Sequence, residues 1–438
     1  MAFKTEIHTA ASNPHQLELL YKKAQQDGQA DVFQSELLAC YETTPDNLLY
    51  AAWFYRFQHM TEDQVKQSKQ VNWILAVPLS IMTGLIFWVL SDFEHLLVLG
   101  KVPQFLLWWS PIATMSALIF LAFTSRTHIK RALALGTGLL AVSAYALLMS
   151  PGLDPTWKAS QYIGLAAIHI PLLCWVFLGI SILGFNSTSE DRFAFLIKSI
   201  EVMVTAGLYL IAGLAFGGIT VGMFAALNIK LPDIWMRLIV AGGFGLLPVL
   251  AVATIYNPSI PPSQQNFEQG LSKFIATMMR LLLPLTLGVL VTYSFVIPFN
   301  FIAPYQNRDV LIVYNLMLFA ILGLLLGATP IQNNDLPIPL QKWLRSGIIA
   351  VAILVTIISL YALSATVFRT LAGGLTLNRL TIIGWNTINI GILVGLIYTQ
   401  FKHGRQKWIA SLQSVFSLAT NAYMVWGLFL LLAVPLLF

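Results

Sequence analysis

Gly373-Gly374-Leu375-Thr376-Leu377-Asn378-Arg379 is a short polar turn between two long apolar runs, Gly347–Phe368 and Leu380–Tyr398. The paired glycines allow backbone angles closed to other residues, and Thr376 and Asn378 can hydrogen-bond within their own turn. Each flanking run is about the ~20 residues a helix needs to cross a bilayer, so the turn belongs at a membrane face. The same pattern extends outward. From Trp73 the chain holds eleven apolar runs near spanning length: 73–91, 104–125, 131–150, 161–184, 197–227, 235–256, 275–300, 310–328, 347–368, 380–400 and 418–437. They are continuous and do not alternate at period two, which excludes a barrel. They predict an all-α, polytopic helical membrane protein with about 11 transmembrane helices.

Composition agrees. Of 438 residues, 57% are hydrophobic and only 10% charged, against roughly 25% charged in a soluble domain. With a mean hydropathy of +0.74, a soluble enzyme and a disordered chain are both excluded. The net charge of +6 is no nucleic-acid signature, because no basic cluster is interleaved with aromatics in a polar segment. Cys40 lies in the polar N-terminus and Cys174 inside an apolar run, so neither a disulfide nor a CxxC site is expected.

Residues 1–70 read as a small cytoplasmic helical bundle ahead of a transmembrane domain, 71–438. Nine of the 19 acidic residues precede residue 64. Asn13-Pro14 and Thr44-Pro45-Asp46 have the form of helix starts, and Thr61 with Gln64 makes a capping-box pattern. The expected helices lie near 14–27, 31–42 and 45–59, with another from 62 running into the membrane. Leu17, Leu20, Tyr21 and Ala24 form one apolar stripe; Leu48, Leu49, Ala52, Trp53 and Arg56 form another. So small a bundle has little core and is expected to dock, on its own membrane domain or on a partner protein. It is too polar for a cleaved signal peptide, so the first span directs insertion.

Charge placement orients the spans. Counting eleven crossings, Lys101, Lys158, Lys230, Arg237, Arg308, Arg369 and Arg379 fall on one side and the other eighteen of the 25 Lys and Arg on the N-terminal side. The positive-inside rule then predicts a cytoplasmic N-terminus and an external C-terminus. The fifth run, if helical from Arg192, is about 54 Å long and exceeds the hydrocarbon core, so its first turns lie in the interface or beyond it. Pro284 and Pro298 make the seventh run the place for a kink or an early end.

Few residues invite chemistry. Ionisable side chains inside spans are functional candidates because burying them is costly. His169 stands alone in the fourth run, where a hydroxyl or carbonyl of a neighbouring helix would satisfy it. Lys198 and Glu201 are three apart on the fifth helix and can pair near its cytoplasmic end; Arg237 and Arg280 can snorkel. The seven histidines, His8, His15, His59, His95, His128, His169 and His403, lack metal-ligand spacing, so no metal is expected. No phosphate loop, GxSxG or HExxH is present and no cofactor is expected. Asp92, Glu94 and His95 share a loop and read as solvated. Gly213 and Gly217, and again Gly218 and Gly222, have GxxxG spacing, which suits close helix contact within the chain, with an oligomer as the alternative.

The C-terminal half resembles a bacterial integral membrane family called domain of unknown function four-one-five-three. The likeness covers roughly residues 190–400. It is carried by Arg192-Phe193 to Leu227, by Gly245-Leu246-Leu247-Pro248 to Tyr256-Asn257-Pro258 with Leu281-Leu282-Leu283-Pro284-Leu285, and by Gly374-Leu375-Thr376-Leu377-Asn378-Arg379. In the last, Leu377 replaces an acidic residue of the family's turn. The resemblance implies a multi-pass protein of a bacterial plasma membrane with no assigned activity.

The expected role is a non-enzymatic accessory or scaffolding subunit, in contact with membrane lipids and with no nucleic acid. The alternatives are a permease for an apolar or weakly polar solute, and a lipid-linked transferase acting through external loops.

Overall fold

Helix starts in the polar N-terminus follow local capping chemistry. The computed structural model describes residues 3–26, 30–67, 71–98, 102–125, 129–150, 156–184, 186–267, 270–331, 336–403 and 407–437. Asn13 Oδ1 accepts from the Gln16 amide at 3.1 Å and opens a helix at Pro14, where a missing N–H costs nothing. Four helices result: α1 (Lys4–Thr9), α2 (Pro14–Gln26), α3 (Ala30–Thr43) and α4 (Leu48–Gln67). The cap of α4 is Asn47, whose Oδ1 takes the amides of Leu49 and Tyr50 at 2.9 and 3.2 Å. Two expectations need correction. Helix α4 runs unbroken through Thr61, so Thr61 and Gln64 mark no start. The first membrane helix is a separate one that begins at Trp73, capped by Asn72.

Residues 1–70 form one compact unit and 71–438 another. The first has a real aromatic core. Tyr21 meets Trp53 edge-on at 5.2 Å and Phe57 at 5.5 Å, with Phe33 and Leu17 buried beside them. Arg56 covers Trp53 at 4.4 Å and pairs with Glu18 at 2.8 Å. The Tyr50 hydroxyl donates to the Ile7 carbonyl at 3.0 Å. Burial, helped by Cys40, raises its phenol above the ordinary pKa of 10.0.

The second unit begins with α5 (Trp73–Leu90), a two-stranded antiparallel ribbon (β1, Leu97–Val98; β2, Val102–Pro103), α6 (Phe105–Ser125), α7 (Ile129–Met149) and α8 (Thr156–Leu183). Next come α9 (Ser189–Ala226), α10 (Asp233–Arg237), α11 (Gly243–Ile255), α12 (Gly270–Val296), α13 (Ala303–Gln306) and α14 (Arg308–Ala328). The chain closes with α15 (Ile338–Gly373), α16 (Leu377–Lys402), α17 (Trp408–Leu428) and α18 (Val434–Leu437). A π-turn at Leu238–Gly242 joins α10 to α11, and another at Phe429–Ala433 joins α17 to α18. Among the described residues, eleven helical segments are long and apolar enough to cross a membrane. Helix α12 passes Pro284 without ending and gives way to a 3-10 turn at Ile297–Asn300, which contains Pro298.

Among the described residues four apolar clusters hold these helices, the smallest joining α6 to α7 through Leu118, Ala122 and Ala132. Ala76, Phe120 and Val249 join α5, α6 and α11. Tyr162, Ile170 and Leu431 join α8 to the end of the chain. The largest cluster unites α12, α14, α15, α16 and α17 with the start of α9 through Leu325, Val355, Leu393 and Leu412. Backbones touch where α5 crosses α11: a Cβ on Gly245 would lie 2.6 Å from the Gly84 Cα. In lipid, such small-residue contacts substitute for hydrophobic driving force.

Candidate functional site

A buried polar grouping within the spans lies on α8, α16 and α17. His169 is buried at 2% exposure. Its Nδ1 lies 2.7 Å from the Leu165 carbonyl one turn back, and the Trp385 indole N–H donates to its Nε2 at 2.8 Å. An indole can only donate, so Nε2 is the acceptor and Nδ1 carries the proton. The ring is thus neutral, with both nitrogens engaged. Trp385 contacts Tyr423 at 5.0 Å and Phe319 at 5.5 Å. The Tyr423 hydroxyl donates to Asn389 Oδ1 at 2.8 Å. Asn386 and Asn389 are both at least 98% buried, and their Nδ2 donors have no partner. Nearby, a Cβ on Gly384 would overlap the Trp426 indole.

This arrangement suits recognition of a hydrogen-bond acceptor, and it does not suit proton relay, because the one N–H of the imidazole is committed to the Leu165 carbonyl and its lone pair to the Trp385 indole. The expected partner of His169, a hydroxyl or carbonyl on a neighbouring helix, is instead an indole from α16 and a carbonyl of its own helix. Trp385, Asn386 and Asn389 carry no charge, so they do not stand out among the ionisable side chains of the spans. Two amides three residues apart inside the 380–400 run were the available signal.

Lys198 and Glu201 do pair, at 2.6 Å, and both are buried within the protein. Lys198 also donates to the Asn266 carbonyl at 2.6 Å and to Ser272 Oγ at 3.1 Å, and Ser272 bonds Glu201. The Phe267 ring lies 4.6 Å from the ammonium. Two turns earlier on the same helix, Asp191 accepts from the Ser263 hydroxyl at 2.7 Å. Together these bonds sew the 257–272 connection onto the start of α9, where the charges are satisfied by protein and have little freedom to exchange a solute.

At the opening turn, Gly374 has φ +78°, a conformation that favours glycine. Thr376 caps α16 through the Arg379 amide at 3.3 Å. The Arg379 guanidinium donates to the Gly374 carbonyl at 2.6 Å and lies against Gly373. Its fork therefore closes the end of α15 within the turn itself. Asn378 forms part of the first turn of α16.

The glycine stripe of α9 corrects an expectation. Contact within the chain is made at Gly217, where a Cβ would meet Ile239 at 3.2 Å. Nothing lies within 4 Å of a Cβ at Gly213, Gly218 or Gly222.

In the 91–96 loop, Asp92 binds His95 at 3.0 Å and Arg237 at 3.6 Å. Arg237 also reaches the Trp88 carbonyl at 3.2 Å, capping α5 rather than snorkelling. The Asp92 carboxyl is held below its ordinary pKa chiefly by its bond to His95, and that bond raises the imidazole. Among the described residues no group of three His, Cys, Asp or Glu is placed to hold a metal. His128, Lys69, Lys101, Arg126 and Arg405 lie outside the described residues.

No family model matches the chain, and neither a curated protein nor a solved structure matches it. The fold itself defines the class: a multi-pass α-helical membrane protein.

Proposed function

We propose that this protein is a non-enzymatic accessory or scaffolding subunit of an assembly in a bacterial plasma membrane. One observation carries the reading. In the second half of the longest helix, α9, from Ile211 to Ala226, only Gly217 is buried, and no chain atom lies within 4 Å of a Cβ at Gly213, Gly218 or Gly222. Ile211, Leu214, Phe216, Ile219 and Met223 are each more than half exposed. Small residues between such side chains let a partner's backbone approach closely. Native mass spectrometry of gently solubilised membranes tests this. A stoichiometric protein companion or second copy is expected, and a uniformly monomeric species would overturn the reading.

The proposed orientation has a cytoplasmic N-terminus and an external C-terminus, supported by the lysine and arginine bias. Reporters fused after Phe438 and inserted at Gln264 should report opposite sides. Membership of the family named domain of unknown function four-one-five-three is likewise inferred from the turn. A related sequence bridging the two without that turn's glycine, asparagine and arginine would remove its basis.

A permease for a weakly polar solute is a second reading, favoured by the two unpartnered amides beside Trp385. Transport that survives Asn389→Leu in a folded protein would argue against that site.

A further inference from the structure

A cleft of about 580 Å³, counted with its open mouth, runs between α8, α9 and α17. No lining residue is acidic, and Arg192 supplies its positive charge at the first turn of α9. Ser187, which accepts from Arg192 Nε at 2.8 Å, and Asn421 share the lining with it. The remaining wall is apolar, with Val176, Ile180 and Met424 among its members.

Deeper in, Trp175 stacks on Phe195 with ring centroids 6.1 Å apart. The Trp175 indole nitrogen is buried and has no hydrogen-bond partner. Phe195 follows Arg192 by three residues, about 4.5 Å of rise along α9, so the ring on which Trp175 stacks lies nearly one turn further into the helix than Arg192. A donor left unsatisfied there is costly, because hydrocarbon offers no acceptor.

We propose that this cleft binds one anionic glycerophospholipid. The phosphate lies against Arg192 and Asn421, a glycerol ester carbonyl accepts from Trp175, and an acyl chain follows Val176 and Met424. The vertical order of cation, lone donor and apolar slot is the order of phosphate, ester and chain in the lipid. A guanidinium in an interface can also hold phosphate generically. What distinguishes this site is the second donor, stacked on Phe195 inside a walled slot. The proposal is independent of the scaffolding reading.

The test uses the full chain in detergent, with phosphatidylglycerol, phosphatidylcholine and inorganic phosphate added separately and binding followed by native mass spectrometry and thermal unfolding. Phosphatidylglycerol should bind and stabilise more than phosphatidylcholine, and inorganic phosphate at the same concentration should do neither. Arg192→Gln should cost about tenfold in phosphatidylglycerol affinity and bring the two lipids together. Trp175→Phe should weaken both lipids while keeping their ratio. Asn421→Leu, at an exposed position, should lower the preference for phosphatidylglycerol without affecting folding, and decides the matter if Arg192→Gln misfolds. Equal binding of the two lipids by the unaltered protein would overturn the proposal. So would a preference unchanged in both the arginine and asparagine variants, or a phosphate effect equal to that of the lipid.

Discussion

From Ser189 to Thr205, α9 is wired into its own chain, whereas from Ile211 to Ala226 only Gly217 is buried. The wired part places Phe193, Phe195 and Leu196 in the largest core and closes a buried ion pair with Ser272 and the Asn266 carbonyl. The open part has no comparable bonds, although the spanning window of α9 has a mean hydropathy of 2.0, within the range of the other spans. Within its spanning window α9 is 11% buried, against 56% for α6. A helix in lipid satisfies its own backbone, so length and apolarity do not require packing. The buried bonds of α9 lie in the first part, and the second part is largely exposed.

Breaking the wiring should have the largest effect. Glu201→Ala strands the Lys198 ammonium in the protein interior, and loss of one member of such a pair costs about 3–5 kcal/mol. Thermal unfolding in detergent should show this, with the Lys198→Met/Glu201→Leu double variant far milder. If Glu201→Ala melts like the unaltered protein, the pair contributes nothing to the contrast.

Glycines sharpen the comparison next. Gly384→Ala drives a methyl into Trp426, and overpacking of this kind costs about 1–3 kcal/mol. The same change at Gly222 meets open space and should be neutral or gain up to about 1 kcal/mol in helix propensity. Equal losses at the two sites would mean that the open face is packed after all.

A smaller effect is expected at the turn. Lysine can reach a headgroup but cannot reproduce the guanidinium fork that closes on Gly374. Arg379→Lys should therefore lower the unfolding temperature nearly as much as Arg379→Ala does. A lysine variant that melts like the unaltered protein would leave Arg379 as an anchor only.

The smallest effect concerns the 91–96 loop. Asp92 has its pKa lowered from 3.8 and His95 has its pKa raised from 6.5. The histidine's contribution is full below 6.5 and fades as pH rises through its folded value. The aspartate's is full above 3.8 and fades as pH falls through its own. Arg237 and Glu94 also face the pair, and the histidine is exposed and the aspartate half-buried, so the change stays local. Hydrogen exchange at the His95 amide, which bonds Asp92, should be slowest in the mildly acidic window between those limits. A rate that follows only the intrinsic pH dependence would remove the pair from the account.

How much of this was legible follows from what the bilayer constrains. Spans are forced by length and apolarity, so all eleven segments could be read from the chain. Span ends are less constrained: Thr61 and Gln64 fit a cap, yet α4 passes through them because Asn47 had already capped it. Partners across 200 residues carry no local trace. Lys198 and Glu201 could be paired by their spacing, while Ser272 and Asn266 come from a connection whose path only the fold sets. The amides Asn386 and Asn389 were readable as residues but not as neighbours of His169. The glycine spacing of α9 predicts a smooth face correctly and says nothing of what lies against it.

The measurement that tests the central claim most directly compares Gly218→Ile with the unaltered chain by native mass spectrometry and by unfolding temperature. A Cβ at this position would meet no atom of its own chain within 4 Å. The account predicts an unchanged unfolding temperature together with loss of the companion protein or second copy. An intact assembly in the folded variant, or an unaltered protein that is monomeric from the outset, would contradict it.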